Sequence, residues 1–416
     1  MPEDQRYVGA REAARLLGVK PATLYAYVSR GLLESAPGEG GRARRYRLAD
    51  VERLRAEGRR AGTAPALRWG EPVLDSGVTA MAQDGPLYRG RPALALARDG
   101  VSFEAVAELL WTGTLPPQRP VWPDDGPDLA PLASLVPPGA PPAAIHALVV
   151  AGLAPRDPGR FDLRPEAVLE RARRLIRTLA ASLACLHGGA ARARGLRAAR
   201  RAASVAGAAA CALGVEPRPR TLAALDRTLV LLADHELNVS TFAARVAASA
   251  RADPYAALLT GLAALSGPRH GAASDRVEAL LVELESTGDA ARVVHERERR
   301  GELVPGFGHP FYDEGDPRAT LLLETARELG GRARAAASLF DLVEAMRAAG
   351  KQPPNVDAAL VALRAALGLP RGAAAGLFAV GRAAGWFAHV LEQYGSPSLL
   401  RPRARYVVEG GGAEPA

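Results

Sequence analysis

GFGHPFYDEGDPR, residues 306–318, is the stretch on which the reading of this chain turns. It sets His309 and Arg318 among glycine and proline, inside a sequence otherwise dominated by alanine and leucine. Two shorter islands of the same kind flank it: GPRHG at 267–271, with His270, and PNVDAAL at 354–360, with Asp357. Glycine and proline allow backbone conformations in which a side chain leaves a helix end and faces a cavity. Two histidines, an arginine and an aspartate presented in this way suit acid–base chemistry on an anionic substrate.

Outward from the islands the chain reads as helix. SFEAVAELLWTGTLP (102–116) has apolar residues at helical spacing and stops at Gly113 and Pro116. The same periodicity predicts helices over 165–185, 196–214, 221–234, 241–250, 254–266, 272–286, 317–330, 334–349, 356–367 and 371–394. Only LRWGEPVLDSGVTAMAQDGPLYRGRP (67–92) looks strand-like, so the body is all-α. A length of 416 residues allows two or three domains, and 48% apolar with 24% charged residues is ordinary for a folded chain. Cys185 and Cys211, the only cysteines, fall in Ala-rich helical stretches and read as reduced core thiols. No signal peptide opens the chain and no charge-free apolar run reaches membrane length, which makes the cytoplasm the expected compartment.

The net charge of +8 points to polyanionic partners. Arginines cluster at 42–47 (RARRYR) and at 191–201 (ARARGLRAARR), the second cluster reading as a solvated helix face. The first belongs to a separate N-terminal unit. In YVGAREAARLLGVKPATLYAYVSRGLL (7–33) a short helix over 10–17 ends at Gly18, and a second starts at Pro21, where a missing N–H costs nothing. A Gly-rich turn, the basic strand-like RARRYRL and a third helix from about Asp50 follow. This order resembles the winged helix-turn-helix of the MerR and excisionase families. The resemblance implies a second helix in the major groove, offering Lys20, Thr23, Tyr25 and Tyr27, with Arg42, Arg44, Arg45 and Arg47 along phosphates. A helix-turn-helix reused for protein contact is the other reading. Residues 1–57 form this module and 58–69 a linker.

From about 70 to 407 the chain resembles the citrate synthase family. The resemblance rests on GPLYRGRP, SFEAVAELLWTGTLP, ADHELNVSTFAARVAAS (233–249), the three islands, LFAVGRAAGWFAHVLEQ (377–393) and RPRARY (401–406), in family order. It implies a two-domain helical fold, with a large domain over 70–270 and 369–416 and a small domain over 271–368. It also implies condensation of acetyl-CoA or propionyl-CoA with oxaloacetate, without metal or redox cofactor. Asp357 matches the base, His270 the donor to the thioester oxygen, and His309 the group that polarises the ketone. His235, Arg318 and Arg382 match oxaloacetate-binding residues. Arg401 matches an arginine that reaches a neighbouring subunit's site, which implies a homodimer.

Taken singly, each residue has a plainer reading: a capping histidine, a helix-end aspartate, a surface arginine. Their joint occurrence in family order overturns those readings. HGG at 187–189 lacks the preceding Gly-Pro and reads as a loop; His146, His295 and His389 read as helix packing, and Trp111 and Trp386 as core anchors. The chain also departs from the family's usual pattern. Asp313 and Glu314 stand where a basic residue often meets CoA phosphate, and GAAS (271–274) replaces the more usual GGAN. A transcriptional regulator using a synthase body as metabolite sensor is the alternative function.

Overall fold

The computed structural model describes residues 7–17, 24, 28, 33, 35–37, 44–51, 74–123, 126–312, 314–330 and 333–402. They fall into two compact units, Met1–Asp75 and Ser76–Ala416.

In the first unit, strand Arg44–Arg47 lies between Tyr7–Gly9 and Ser35–Pro37, antiparallel to both. The central strand buries Tyr46 in the core and leaves Arg44 and Arg45 exposed. Helix Ala10–Leu17 ends where Gly18 predicts, and Leu24 and Val28, one helical turn apart, are both helical. Ala13, Ala14, Leu24, Leu33, Tyr46 and Val51 make a small core. The linker and the third helix beyond Val51 lie outside the described residues.

The second unit opens with a three-stranded antiparallel meander, Thr79–Ala82, Gly85–Tyr88 and Arg91–Pro92. Everything after it is helix and connection. Some helix starts carry side-chain caps: Ser102 accepts from Ala105 N, Asn238 from Thr241 N, and Asp253 from Tyr255 and Ala256 N. Helix Ala373–Tyr394 runs through the middle of the body and is buried almost throughout. It has the length and hydropathy of a membrane span, yet 89% of that apolar window is buried by its neighbours, so it is a core helix. Its small residues let backbones meet: Gly385 N donates to Ala233 O at 2.8 Å, and a Cβ there would sit 2.2 Å from Asp234 Oδ1.

Most predicted helices are present, but three differences have clear causes. The helix expected over 196–214 is two, Gly189–Arg200 and Val205–Ala212. Ser204 breaks it by capping Gly207 N, a competing local bond typical of serine. Helix Pro142–Leu153 went unpredicted because it is apolar on every side and has no 3.6-residue contrast. The HGG at 187–189 is half loop, half helix: Gly188 is the cap and Gly189 the first helical residue. On the same helix Arg194, Arg197 and Arg200 are exposed as expected, but Arg192 is tied to the carbonyls of His187 and Ala133.

Candidate functional site

The three islands converge on one cavity of about 490 Å³, lined by His235, His270, His309, Arg318, Asp357 and Arg382. Six of the seven residues expected to act on substrate therefore share one wall. The seventh, Arg401, is exposed and lies outside this lining.

Backbone pairing brings the second and third islands together. Gly308 N donates to Pro353 O and Asn355 N to Gly306 O, both at 2.8 Å, while Asn355 Nδ2 reaches Gly308 O at 3.0 Å. Gly306 has φ +86°, and a Cβ would lie 2.9 Å from that of Ala358, so only glycine fits this approach. Asn355 also caps helix Val356–Ala366 by accepting from Asp357 N, which places Asp357 in the first turn at the cavity wall. The large-helix side is braced from the meander. Tyr88 Oη lies 3.0 Å from Val230 O and 3.2 Å from Asp234 O, holding the turn that ends in His235. Glu236, at φ +57°, completes that turn in a region few side chains enter.

The electrostatics separate the groups by role. Burial raises the Asp357 carboxyl to about 6, against the pull of a 2.6 Å hydrogen bond from Ser274 and the field of Arg318. Burial, with Arg382 close by, takes His270 down to about 4. Burial also lowers His309 and His235, with Arg318 adding to both, so the three imidazoles are neutral near pH 7. His309 Nδ1 accepts the backbone N–H groups of Phe311 and Tyr312 at 3.1 and 3.4 Å. Its own proton therefore sits on Nε2, making that atom the donor. His270 Nε2 lies 2.7 Å from Ser240 Oγ, which accepts from Trp386 Nε1 at 3.2 Å and donates to Asn238 Oδ1 at 2.7 Å.

The two arginines differ. Arg318, 2% exposed, is bound through Nε and Nη2 to both oxygens of Asp316, at 2.9 and 2.8 Å. Nη1 donates to no described residue, and Arg318 lines the cavity. Arg382, 1% exposed, gives Nε to Leu232 O at 2.9 Å and stacks 4.9 Å from Phe378, with no carboxylate ion-paired to it among the described residues. Burial lowers it to about 10, Arg318 adding to the fall while Asp234 resists it. A desolvated guanidinium without a carboxylate is a strong attractor for an anion.

Sequence reasoning missed four contributors. Asp316, two residues before Arg318, could have been suspected from the DPR spacing. Ser274, noted only as a departure from the family's usual asparagine, is the group bonded to Asp357. Trp386 is a core anchor as expected, but it also holds Ser240 and, through it, His270. Tyr312 packs against both His235 and His309, its ring centroid 5.8 and 4.6 Å from theirs. His389 is the buried packing residue expected, 3.2 Å from Asp234, and His146 likewise bonds Ser182 at 2.9 Å; His295, expected to pack, is exposed. Cys185 is buried and Cys211 half-buried, both unbridged. Among the expected DNA contacts Lys20, Thr23, Tyr25, Tyr27 and Arg42 lie outside the described residues; Arg44 and Arg45 are exposed and Arg47 is half-buried, less available to a phosphate than expected. Asp313 is also outside them, and Glu314 is exposed.

Comparison with known proteins bears on the family and the fold. The family model for the citrate synthase C-terminal domain matches residues 67–403, and a helix-turn-helix domain model matches 7–59. Citrate synthase 2 of Bacillus subtilis is 37% identical over 196 residues, 46% of this chain and 53% of that protein. The 2-methylcitrate synthase 2 of Corynebacterium glutamicum is 34% identical over 191 residues, 45% of this chain and 50% of its own. The chain thus spans about half the length of the curated relatives it matches. Citrate synthase from Thermotoga maritima superposes with a TM-score of 0.67 at 26% identity, over 84% of this chain and 97% of that one. A Thermoplasma acidophilum citrate synthase, solved with carboxymethyl coenzyme A and oxaloacetate, shares the fold with a TM-score of 0.69 at 24% identity, over 82% of this chain and 94% of that one. The motif order, the convergent cavity and the extent of these matches place the chain in the citrate synthase family, with a helix-turn-helix domain at its N-terminus.

Proposed function

We propose that the protein condenses oxaloacetate with acetyl-CoA or propionyl-CoA, giving citrate or 2-methylcitrate and CoA. The observation that carries this is Asp357, a carboxylate near 6, facing neutral His270 and His309 across a cavity that also holds Arg382. Removing a proton from a thioester's α-carbon needs a base close to the working pH and a donor at the enolate oxygen. Asp357 takes the proton. His270 stabilises the enolate through Nδ1–H once the Ser240 hydroxyl proton turns from Asn238 Oδ1, 2.7 Å away, to His270 Nε2. The enol carbon attacks the oxaloacetate ketone, polarised by His309 Nε2–H. Water then cleaves the citryl thioester and releases CoA. Arg382 and the free Nη1 of Arg318 receive the oxaloacetate carboxylates, with His235 beside them. Every step uses side chains of this cavity, so the reading calls on no metal or redox cofactor.

Several finer expectations belong to this reading. The body divides into large and small domains at about 271 and 368, two copies associate, and Arg401 completes the partner copy's cavity. The compartment it implies is the cytoplasm, in the tricarboxylic acid cycle if acetyl-CoA is the donor. The test is CoA thiol release with oxaloacetate and each acyl-CoA. Release with at least one is expected, and kcat/KM should fall tenfold per pH unit below about 6, as Asp357 takes up its proton. No release with either donor refutes the proposal.

A second reading, DNA binding by the N-terminal domain, is favoured by exposed Arg44 and Arg45 on the central strand of its sheet. Mobility shift with the gene's own promoter, at rising salt, is expected to outlast the shift with random DNA. Equal loss of both would reduce the wing to general basic attraction.

A further inference from the structure

Tyr312 is 1% exposed, yet its hydroxyl and ring touch three of the cavity's charged or titratable groups. Its Oη lies 3.1 Å from His235 Nε2, its ring centroid 4.6 Å from that of His309, and the Arg318 guanidinium stands 5.9 Å over the ring. We propose that Tyr312 is a positioning residue whose hydroxyl donates to His235 Nε2, fixing that imidazole as the Nδ1–H tautomer and holding its plane.

The direction of the bond follows from what each atom has to satisfy. A neutral imidazole has one N–H and one lone pair. The Tyr312 hydroxyl is buried, and among the described residues His235 Nε2 is the acceptor it reaches, so its proton goes there. That leaves Nε2 as an acceptor and puts the imidazole's own proton on Nδ1. The opposite arrangement would bury a phenolic proton with no acceptor among the described residues. Burial holds the phenol protonated, at about 12, so the donor persists across the working range.

Two consequences follow. Resting on the proposed function, the only N–H that His235 can offer an oxaloacetate carboxylate is Nδ1–H. Tyr312 also shares its loop with His309: Gln83 Nε2 in the meander reaches Phe311 O at 3.3 Å, and the backbone amide of Tyr312 is one of the two donors to His309 Nδ1. One residue thus sets the protonated edge of His235 through its hydroxyl and helps set that of His309 through its backbone. Only the first is removed by Tyr312→Phe, which keeps the ring.

The experiment is 15N NMR of the full-length protein with labelled histidine, with His235 assigned by comparison with His235→Gln. In the wild type, His235 Nε2 is expected to resonate as an unprotonated acceptor and Nδ1 as N–H. In Tyr312→Phe the Nε2 signal should move toward the protonated position, while that of His309 stays. A wild-type His235 protonated at Nε2, or a spectrum unchanged in Tyr312→Phe, overturns the assignment. Steady-state kinetics form the second arm: KM for oxaloacetate should rise roughly tenfold, with kcat changed by less than about threefold, the size of one lost hydrogen bond. A tautomer shift with unchanged KM overturns the substrate consequence alone. The expected tautomer in a wild type that releases no CoA from any acyl donor supports the positioning role while refuting the proposed activity, so the two failures are distinguishable.

Discussion

Asp357→Asn is expected to lower kcat by about 10²–10⁴-fold while leaving the fold more stable at neutral pH. The amide keeps the shape of the carboxylate and can still accept the Ser274 hydroxyl, but it has no basicity. The stability gain follows from the raised acidity constant. Asp357 sits at about 6 in the folded chain against an ordinary value of 3.8, so the folded state holds its proton more tightly than the unfolded state. A carboxyl shifted upward costs stability as pH climbs from the unfolded value through the folded one. The cost is fully present above pH 6 and vanishes below about 4. Ionised Asp357 therefore costs on the order of 2 kcal/mol at pH 7, trimmed by its opening to the cavity. Thermal unfolding of the two proteins at pH 7 and at pH 4 checks the sign. A variant melting higher at pH 7 but level at pH 4 is the expected pattern. A variant that retains kcat would remove Asp357 from the role of base, and one that loses stability at pH 7 would overturn the cost assigned to its charge.

Arg382→Met should weaken oxaloacetate binding by about 10²–10³-fold with little change in KM for the acyl-CoA. Methionine approximates the length and apolar stem of arginine and can keep the contact with Phe378. What disappears is a guanidinium that is almost wholly buried and ion-paired to no carboxylate among the described residues. Such a cation interacts with an incoming carboxylate in a low dielectric, where one charge-assisted pair is worth several surface ones. Arg318 cannot substitute, since two of its nitrogens are committed to Asp316. Ligand-induced thermal stabilisation reads this without turnover. Oxaloacetate should raise the Tm of the wild type and not that of Arg382→Met at the same concentration. An equal rise in both would place the dicarboxylate elsewhere.

Much of the architecture was legible in local patterns. The α-helical class, the stop of the 103–112 helix at Gly113 and the N-terminal helix ending at Gly18 all came from periodicity and caps. Helix Pro142–Leu153 was not legible, because a segment buried on every side has no polar face to mark its period. The break at 201–204 was hidden because Ala and Arg are good helix formers on either side, and the deciding event is one serine hydroxyl bonding one amide.

The candidate site divides in the same way. The residue types and their Gly/Pro settings were visible along the chain, since a backbone that must turn sharply to present a side chain carries those residues. What tertiary structure alone decided was which groups meet. Ser274 reaches Asp357 across 83 positions, Tyr312 reaches His235 across 77, and Trp386 reaches Ser240 across 146. None of these partners is distinguished by its local sequence, because a hydroxyl or indole becomes a site residue only through the packing that brings it there. Protonation was decided there as well: burial raises Asp357 against the pull of Arg318 and Arg382, while burial and those guanidinium groups lower the histidines, and both causes are set by distance in space rather than in sequence.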